Sequence, residues 1–217
     1  MSNKTNPGVN NQTDGDMQPL VDRVKNHRNT IIVCSILVVL IVFGCLLMFS
    51  ISNSNSAKAD VAAGRADMEM NDSVALELYK EAAEMGHKSG NRAAAMAAIK
   101  LYEQGNYEEA ISYLKEADLK GKVGAPGVYS LMGDCYANLE QYADALKAYD
   151  KAIGKADGNP AIVPLILVKK ANIYRAQQQY ADEYEALKTV VDKYPGFVVA
   201  HSDVQRLYER AKASAGK

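Results

Sequence analysis

The side chains that could do chemistry are few, and their spacing decides what they can do. The three histidines, His27, His87 and His201, stand far apart in the chain. No two share the three- or four-residue step that offers a pair of imidazoles to one metal ion. Cys34 and Cys45 fall in an apolar stretch, which leaves Cys135 as the lone thiol downstream, and a single thiol makes no disulfide within a domain. Glu108 and Glu109 are adjacent carboxylates, but they sit where a helix begins, and negative charge there simply favours the helix dipole. No phosphate-cradling glycine loop and no dinucleotide fingerprint occurs. A nucleophile with its base, a metal cluster and a working carboxylate pair are therefore all unprovided for. The expectation is a protein without enzymatic activity, metal or cofactor.

Charge narrows the partners further. The chain has 25 Lys+Arg against 26 Asp+Glu, and downstream of Ala59 there are 20 basic and 23 acidic residues. A nucleic-acid binder needs a concentrated basic face to displace counterions, and this balance offers none. There is no Trp and there are three Phe, yet 13 Tyr. Ala, Leu, Glu, Lys and Gln, all good helix formers, dominate the rest, so the region after the apolar stretch is expected to be all-α.

The apolar stretch, Thr30 to Ile51, reads TIIVCSILVVLIVFGCLLMFSI without a charge. A helix of that length reaches about 33 Å, enough for a hydrocarbon core of about 30 Å. It is longer than a secretory h-region and follows a polar tail, which favours an uncleaved signal-anchor. Ala57-Lys58-Ala59 has the look of a peptidase site and Val42-Phe43-Gly44-Cys45 that of a loose lipoprotein box. The first follows too long an apolar segment, and the second is followed by further apolar residues. Arg23, Lys25 and Arg28 precede the stretch, against Lys58 and Arg65 amid Asp60 and Asp67 after it. That bias sets the N-terminus in the cytoplasm and the rest of the chain on the far side. The expected organisation is a disordered cytoplasmic tail over 1–29, a transmembrane helix over 30–51, a flexible linker over 52–59, a helical-repeat domain over 60–197, and a capping helix with tail over 198–217.

The repeat is carried by three segments, GNYEEAISYL, EQYADALKAY and QQYADEYEAL. Their tyrosines Tyr107, Tyr142 and Tyr180 are 35 and then 38 residues apart. This register aligns Ala98 with Gly133 and Ala171, and Leu101 with Tyr136 and Tyr174. It further aligns Ala110 with Ala145 and Glu183, Leu114 with Tyr149 and Leu187, and Ala117 with Ala152 and Val190. Small residues at Gly133, Ala145 and Ala152 allow close helix approach, and Tyr136, Tyr142 and Tyr149 fill the intervening space. Gly105 suits a tight interhelical turn, and Pro195 ends the last second helix. Ala75, Tyr79 and Ala82 extend the register upstream into a degenerate unit, Asp60–His87, with Asp72 in the tyrosine slot. The longer step is assigned to a loop over Gly154–Pro164, and Val198–Ala213 to a continuous cap.

These features resemble the tetratricopeptide repeat (TPR), a helix–turn–helix unit of about 34 residues that stacks into a solenoid. The resemblance implies three clear units, one degenerate unit and a capping helix, with a groove formed by the first helix of each unit. It places Arg92, Ala95, Ile99, Tyr102 and Glu103 in that groove, followed by Ser130, Asp134 and Asn138, and then by Leu165, Val168, Asn172 and Arg175. It implies proteins or peptides as ligands. The slots Ala95, Ile99, Leu131 and Leu165, with only Lys169 basic, are wrong for clamping a terminal carboxylate. The segments AAIKLYEQGNYEEAISYLKEAD and YSLMGDCYANLEQYADALKAYDKAI, behind an N-terminal anchor and short linker, also resemble the YfgM-like ancillary translocon subunits of bacteria. That likeness implies a bitopic inner-membrane protein with a periplasmic TPR domain, meeting translocon subunits, secreted chains and periplasmic chaperones. An envelope-complex assembly scaffold and a cytosol-facing TPR receptor are the alternatives. An open stack also exposes two end faces through which copies could self-associate.

Overall fold

The computed structural model describes residues 28–217, and the N-terminal tail with Arg23, Lys25 and His27 lies outside the described residues. Ten helices follow one another among those residues: α1 (Arg28–Met68), α2 (Asp72–Glu84), α3 (His87–Glu103), α4 (Tyr107–Glu116), α5 (Gly121–Asn138), α6 (Tyr142–Ala156), α7 (Val163–Ala176), α8 (Tyr180–Lys193), α9 (Pro195–Ala200) and α10 (Asp203–Ser214). The chain divides into two units at Asn53/Ser54.

In the first unit, α1 presents an apolar surface: Ile36, Leu40, Phe43 and Leu47 are all exposed among the described residues. From Ile32 the helix is long and apolar enough to cross a membrane. The segment expected to be a flexible linker, Ser50–Ser56 and on to Ala59, is instead helical and belongs to α1. Its serines and asparagines are weak helix formers. They are flanked by an apolar helix on one side and by Ala59, Ala62, Ala63 and Ala66 on the other, and those alanines are buried.

In the second unit, Ser54–Met68 of α1 shares a core cluster with α2, and α3 pairs with α4, α5 with α6, and α7 with α8. The alanine stripe of α1 joins Ala75, Leu76 and Tyr79 of α2 and Ala94, Ala97 and Ala98 of α3 in one core cluster. Asn71 caps α2, its side-chain oxygen accepting from the backbone N–H of Ser73 and Val74 at 3.0 and 3.2 Å. The degenerate first unit thus keeps the register, because α2 starts at Asp72, one repeat ahead of Tyr107.

The three clear units turn in the same way. Gly105, Glu140 and Gln178 all adopt positive φ, at 82°, 58° and 60°. Asn106 N–H donates to Leu101 O, Gln141 N–H to Tyr136 O and Gln179 N–H to Tyr174 O, at 2.8–2.9 Å. This is a Schellman ending, and it needs a left-handed residue just past the helix. Glycine fits that position freely, whereas Glu140 and Gln178 hold it with a side chain that disfavours it.

Two boundaries differ from expectation. Helix α6 continues to Ala156, so the long connection shrinks to residues 157–162. There Asp157 and Gly158 are both left-handed, and Asn159 accepts from Ala161 N–H through its side chain. The expected continuous cap is broken at His201 and Ser202. The His201 backbone leaves helical geometry, and its ring stacks on Phe197 with centroids 4.0 Å apart. Beyond the break, α10 packs back on α8, burying Val204 and Ala211 and stacking Tyr208 on Tyr184.

Candidate functional site

In every unit the first helix gives a small residue to a large one on the second helix, sixteen positions later. The pairs are Ala63 with Tyr79, Ala98 with Leu114, Gly133 with Tyr149, and Ala171 with Leu187, and all eight are buried. The two tyrosines do more than fill space. Tyr79 donates to Asp67 at 2.7 Å, and Arg92 of the next first helix holds the same carboxylate at 2.8 Å. Tyr149 donates to Asp134 at 2.7 Å, and Lys169 of the next first helix holds that carboxylate at 2.5 Å while also reaching Ser130 Oγ at 3.3 Å. In both, the tyrosine comes from the second helix, the acid from the first helix of the same unit, and the cation from the unit that follows. Tyr79 and Arg92, in that order, hold the Asp67 carboxyl below its ordinary value. A third acid, Glu183, takes two cations, Arg175 at 3.2 Å and Arg210 at 3.0 Å, and so ties α10 to the last unit.

These links account for much of the expected groove. Arg92, Ser130, Asp134 and Arg175 lie on the first helices as anticipated, but they are committed to bonds between helices. Tyr102 is half-buried, tilted against Tyr107 at 5.5 Å, and its hydroxyl is 3.5 Å from Asn138 Nδ2. Asn138 also donates to the backbone oxygen of Asp134 at 2.9 Å. Tyr102, Asn138, Asp134 and Ser130 thus form one polar string running from α3 across α5 to α7. Val168 is half-buried against the last core cluster, and Ala95 is buried outright. What this face leaves exposed is Ile99 and Leu165, 37% and 47% accessible, with Glu103 and Asn172. The repeat register sets Leu165 in the slot of Arg92, and Ile99 in that of Asp134 and Asn172.

Cys135, the residue after Asp134 on α5, is fully buried. Burial first, and then the Asp134 charge, push its thiol from 9.0 up to about 12. The sulfur is therefore protonated and unreactive at neutral pH. Tyr149 is raised by the same two causes in the same order. Both groups are neutral when protonated, and both have folded values above their unfolded ones. Their stabilisation is thus complete below pH 9 and is lost as pH rises toward 12. Thermal melts followed by circular dichroism between pH 8 and 11 are expected to fall steeply for the native chain and less steeply for Cys135→Ala. Equal slopes would contradict this reading of the thiol.

One feature was missed from sequence. A recess of about 750 Å³ opens between α4, the 117–120 connection, α5 and α6, and five lysines and two aspartates stand around it. Lys147, Lys151 and Lys155 follow one another at four-residue steps on α6, a helical stripe legible in the sequence. Among the described residues, no group of three or more His, Cys, Asp or Glu could hold a metal ion.

Comparison with known proteins agrees with this geometry. Residues 101–167 match a tetratricopeptide-repeat family model. No curated protein sequence matches the chain. Two crystal structures of MamA share the fold at 14% identity. One has a TM-score of 0.58 and covers 76% of this chain and 84% of MamA. The other has a TM-score of 0.50, with 67% and 89% covered. The described helices thus form a TPR-like helical repeat.

Proposed function

We propose that the protein is a single-pass membrane protein whose TPR domain faces the periplasm and holds segments of other polypeptides as an accessory of protein translocation or of the chaperones that receive secreted chains. The observation that carries the binding role is the first-helix face. Ile99 and Leu165 stay exposed there, although the polar groups around them are fixed to one another. Apolar anchors set among ordered polar groups are what a peptide-binding surface needs. Asn172 adds an exposed amide that both donates and accepts, matching a peptide main chain. The apolar stretch of α1 supports the anchor, and the basic residues before it support the orientation. The resemblance to the YfgM-like family supports the compartment and the class of partner.

The test joins topology to crosslinking in the full chain. A reporter fused after Lys217 is expected to be active only outside the cytoplasm. A photoreactive residue at Ile99 is expected to capture translocon subunits or nascent secreted chains. Ile99→Glu with Leu165→Glu should reduce that capture about tenfold, the loss of one or two anchors worth about 1–2 kcal/mol together. A cytosolic reporter, or capture of envelope-assembly proteins alone, would sink this reading.

A further inference from the structure

We infer that the recess between α4, α5 and α6 is a second binding site, separate from the first-helix face, and that it takes an acidic amphipathic segment of a partner protein. Its position makes it independent of the first site. On α5, Ser130, Asp134 and Asn138 face the first site, and Val128, Met132 and Tyr136 line the recess. Two such rows, offset by two residues, lie on opposite sides of a helix.

Three separate observations define the occupant. The floor is apolar: Leu114 and Val128 are buried, and Tyr129, Met132 and Tyr136 are half-buried. The rim is basic. Lys120 is paired with Asp118 and Lys147 with Asp144, but among the described residues no carboxylate is paired with Lys115, Lys151 or Lys155, and Lys151 instead lies over the Tyr129 ring at 5.8 Å. This excess of positive charge belongs to a domain that is net acidic overall. Finally, α5 begins at the rim with no side-chain cap and no acidic residue in its first turn, so the positive end of its dipole adds to the lysines.

An occupant must therefore offer apolar side chains to the floor and carboxylates to the rim. An inorganic anion would satisfy the lysines and leave the floor wet. A bilayer surface is flat and cannot follow a recess, so its acyl chains would not reach Met132 or Leu114. A helix with leucines along one face and glutamates beside them meets both demands.

The experiment uses the full chain in zwitterionic nanodiscs and a fluorescent peptide of about four helical turns, with leucines on one face and flanking glutamates. Two counterpart peptides carry Glu→Gln or Leu→Ser throughout. Anisotropy should show the acidic amphipathic peptide binding at least tenfold more tightly than either counterpart, with affinity falling as salt rises. Lys115→Glu with Lys151→Glu and Lys155→Glu should weaken it at least tenfold at an unchanged helix content, these lysines being exposed. Ile99→Glu with Leu165→Glu should leave it unchanged, which separates failure here from failure of the first site. Equal binding of the glutamine peptide, indifference to the lysine reversal, or lysine-dependent flotation with phosphatidylglycerol vesicles in place of peptide binding would each overturn the inference.

Discussion

Gly133→Ala is expected to lower the stability of the repeat domain by about 1–3 kcal/mol, although alanine is the better helix former by about 1 kcal/mol. A β-carbon on Gly133 would lie 2.4 Å from one ring carbon of Tyr149 and 2.6 Å from the next. Tyr149 cannot swing away, because its ring is 2% exposed and its hydroxyl is tied to Asp134 at 2.7 Å. The neighbouring units show the remedy: alanine in the glycine slot is matched by leucine in the tyrosine slot, as in Ala98 with Leu114 and Ala171 with Leu187. Tyr149→Leu alone should also destabilise, leaving space over the glycine and Asp134 without its donor. The double variant Gly133→Ala, Tyr149→Leu should be more stable than the sum of the two losses predicts. Urea denaturation of the four proteins closes a double-mutant cycle, and a coupling of about 1 kcal/mol or more is expected. Additive losses would mean that the slot is loosely packed and that the close approach has no energetic weight.

That pair also shows what the sequence could and could not disclose. Gly133 and Tyr149 fall in their slots by simple alignment of the repeat, and the close helix approach follows from residue volume alone. The all-α architecture, the register of α2 through α8 and the end of α8 before Pro195 are legible for the same reason, since each depends on contacts that recur every repeat. What escaped depends on single residues. The stretch Ser50–Ser56 has linker composition, and nothing local reveals that its backbone is helical. His201 breaks the cap through its own backbone geometry and its stacking on Phe197. Several groove candidates, Arg92, Ser130, Asp134 and Arg175, lie on the expected helix face. Their bonds to other helices, however, come from residues 8 to 39 positions away, which no repeat period announces. The basic recess was hidden differently: its lysines come from two helices and a connection, and the overall charge balance masks them.

Glu183 is the residue where the repeat departs furthest from its own pattern, and removing its partners should cost the most. It occupies the slot of Ala110 and Ala145 and is 1% exposed, so its carboxylate is as buried as the alanines it replaces. Burying an ion without partners is far more costly than burying a methyl group. Arg175 and Arg210 supply the compensation from two directions, and each is itself 38–40% exposed. The two sides of the arrangement are therefore unequal. Glu183→Gln leaves two arginines that water can still solvate, and the loss should be about 1–2 kcal/mol. Arg175→Ala with Arg210→Ala leaves a charge in the core and should cost about 3–5 kcal/mol, the range for breaking a buried pair from one side. Adding Glu183→Ala to the double arginine variant should restore most of that loss, because the last unit then carries the alanine that Ala110 and Ala145 supply in the two units before it. Denaturant melts of the three proteins decide the matter. If the triple variant is no more stable than the double, the arginines act mainly by packing their stems against α8 and α10, and the buried charge is not what the last unit is built around.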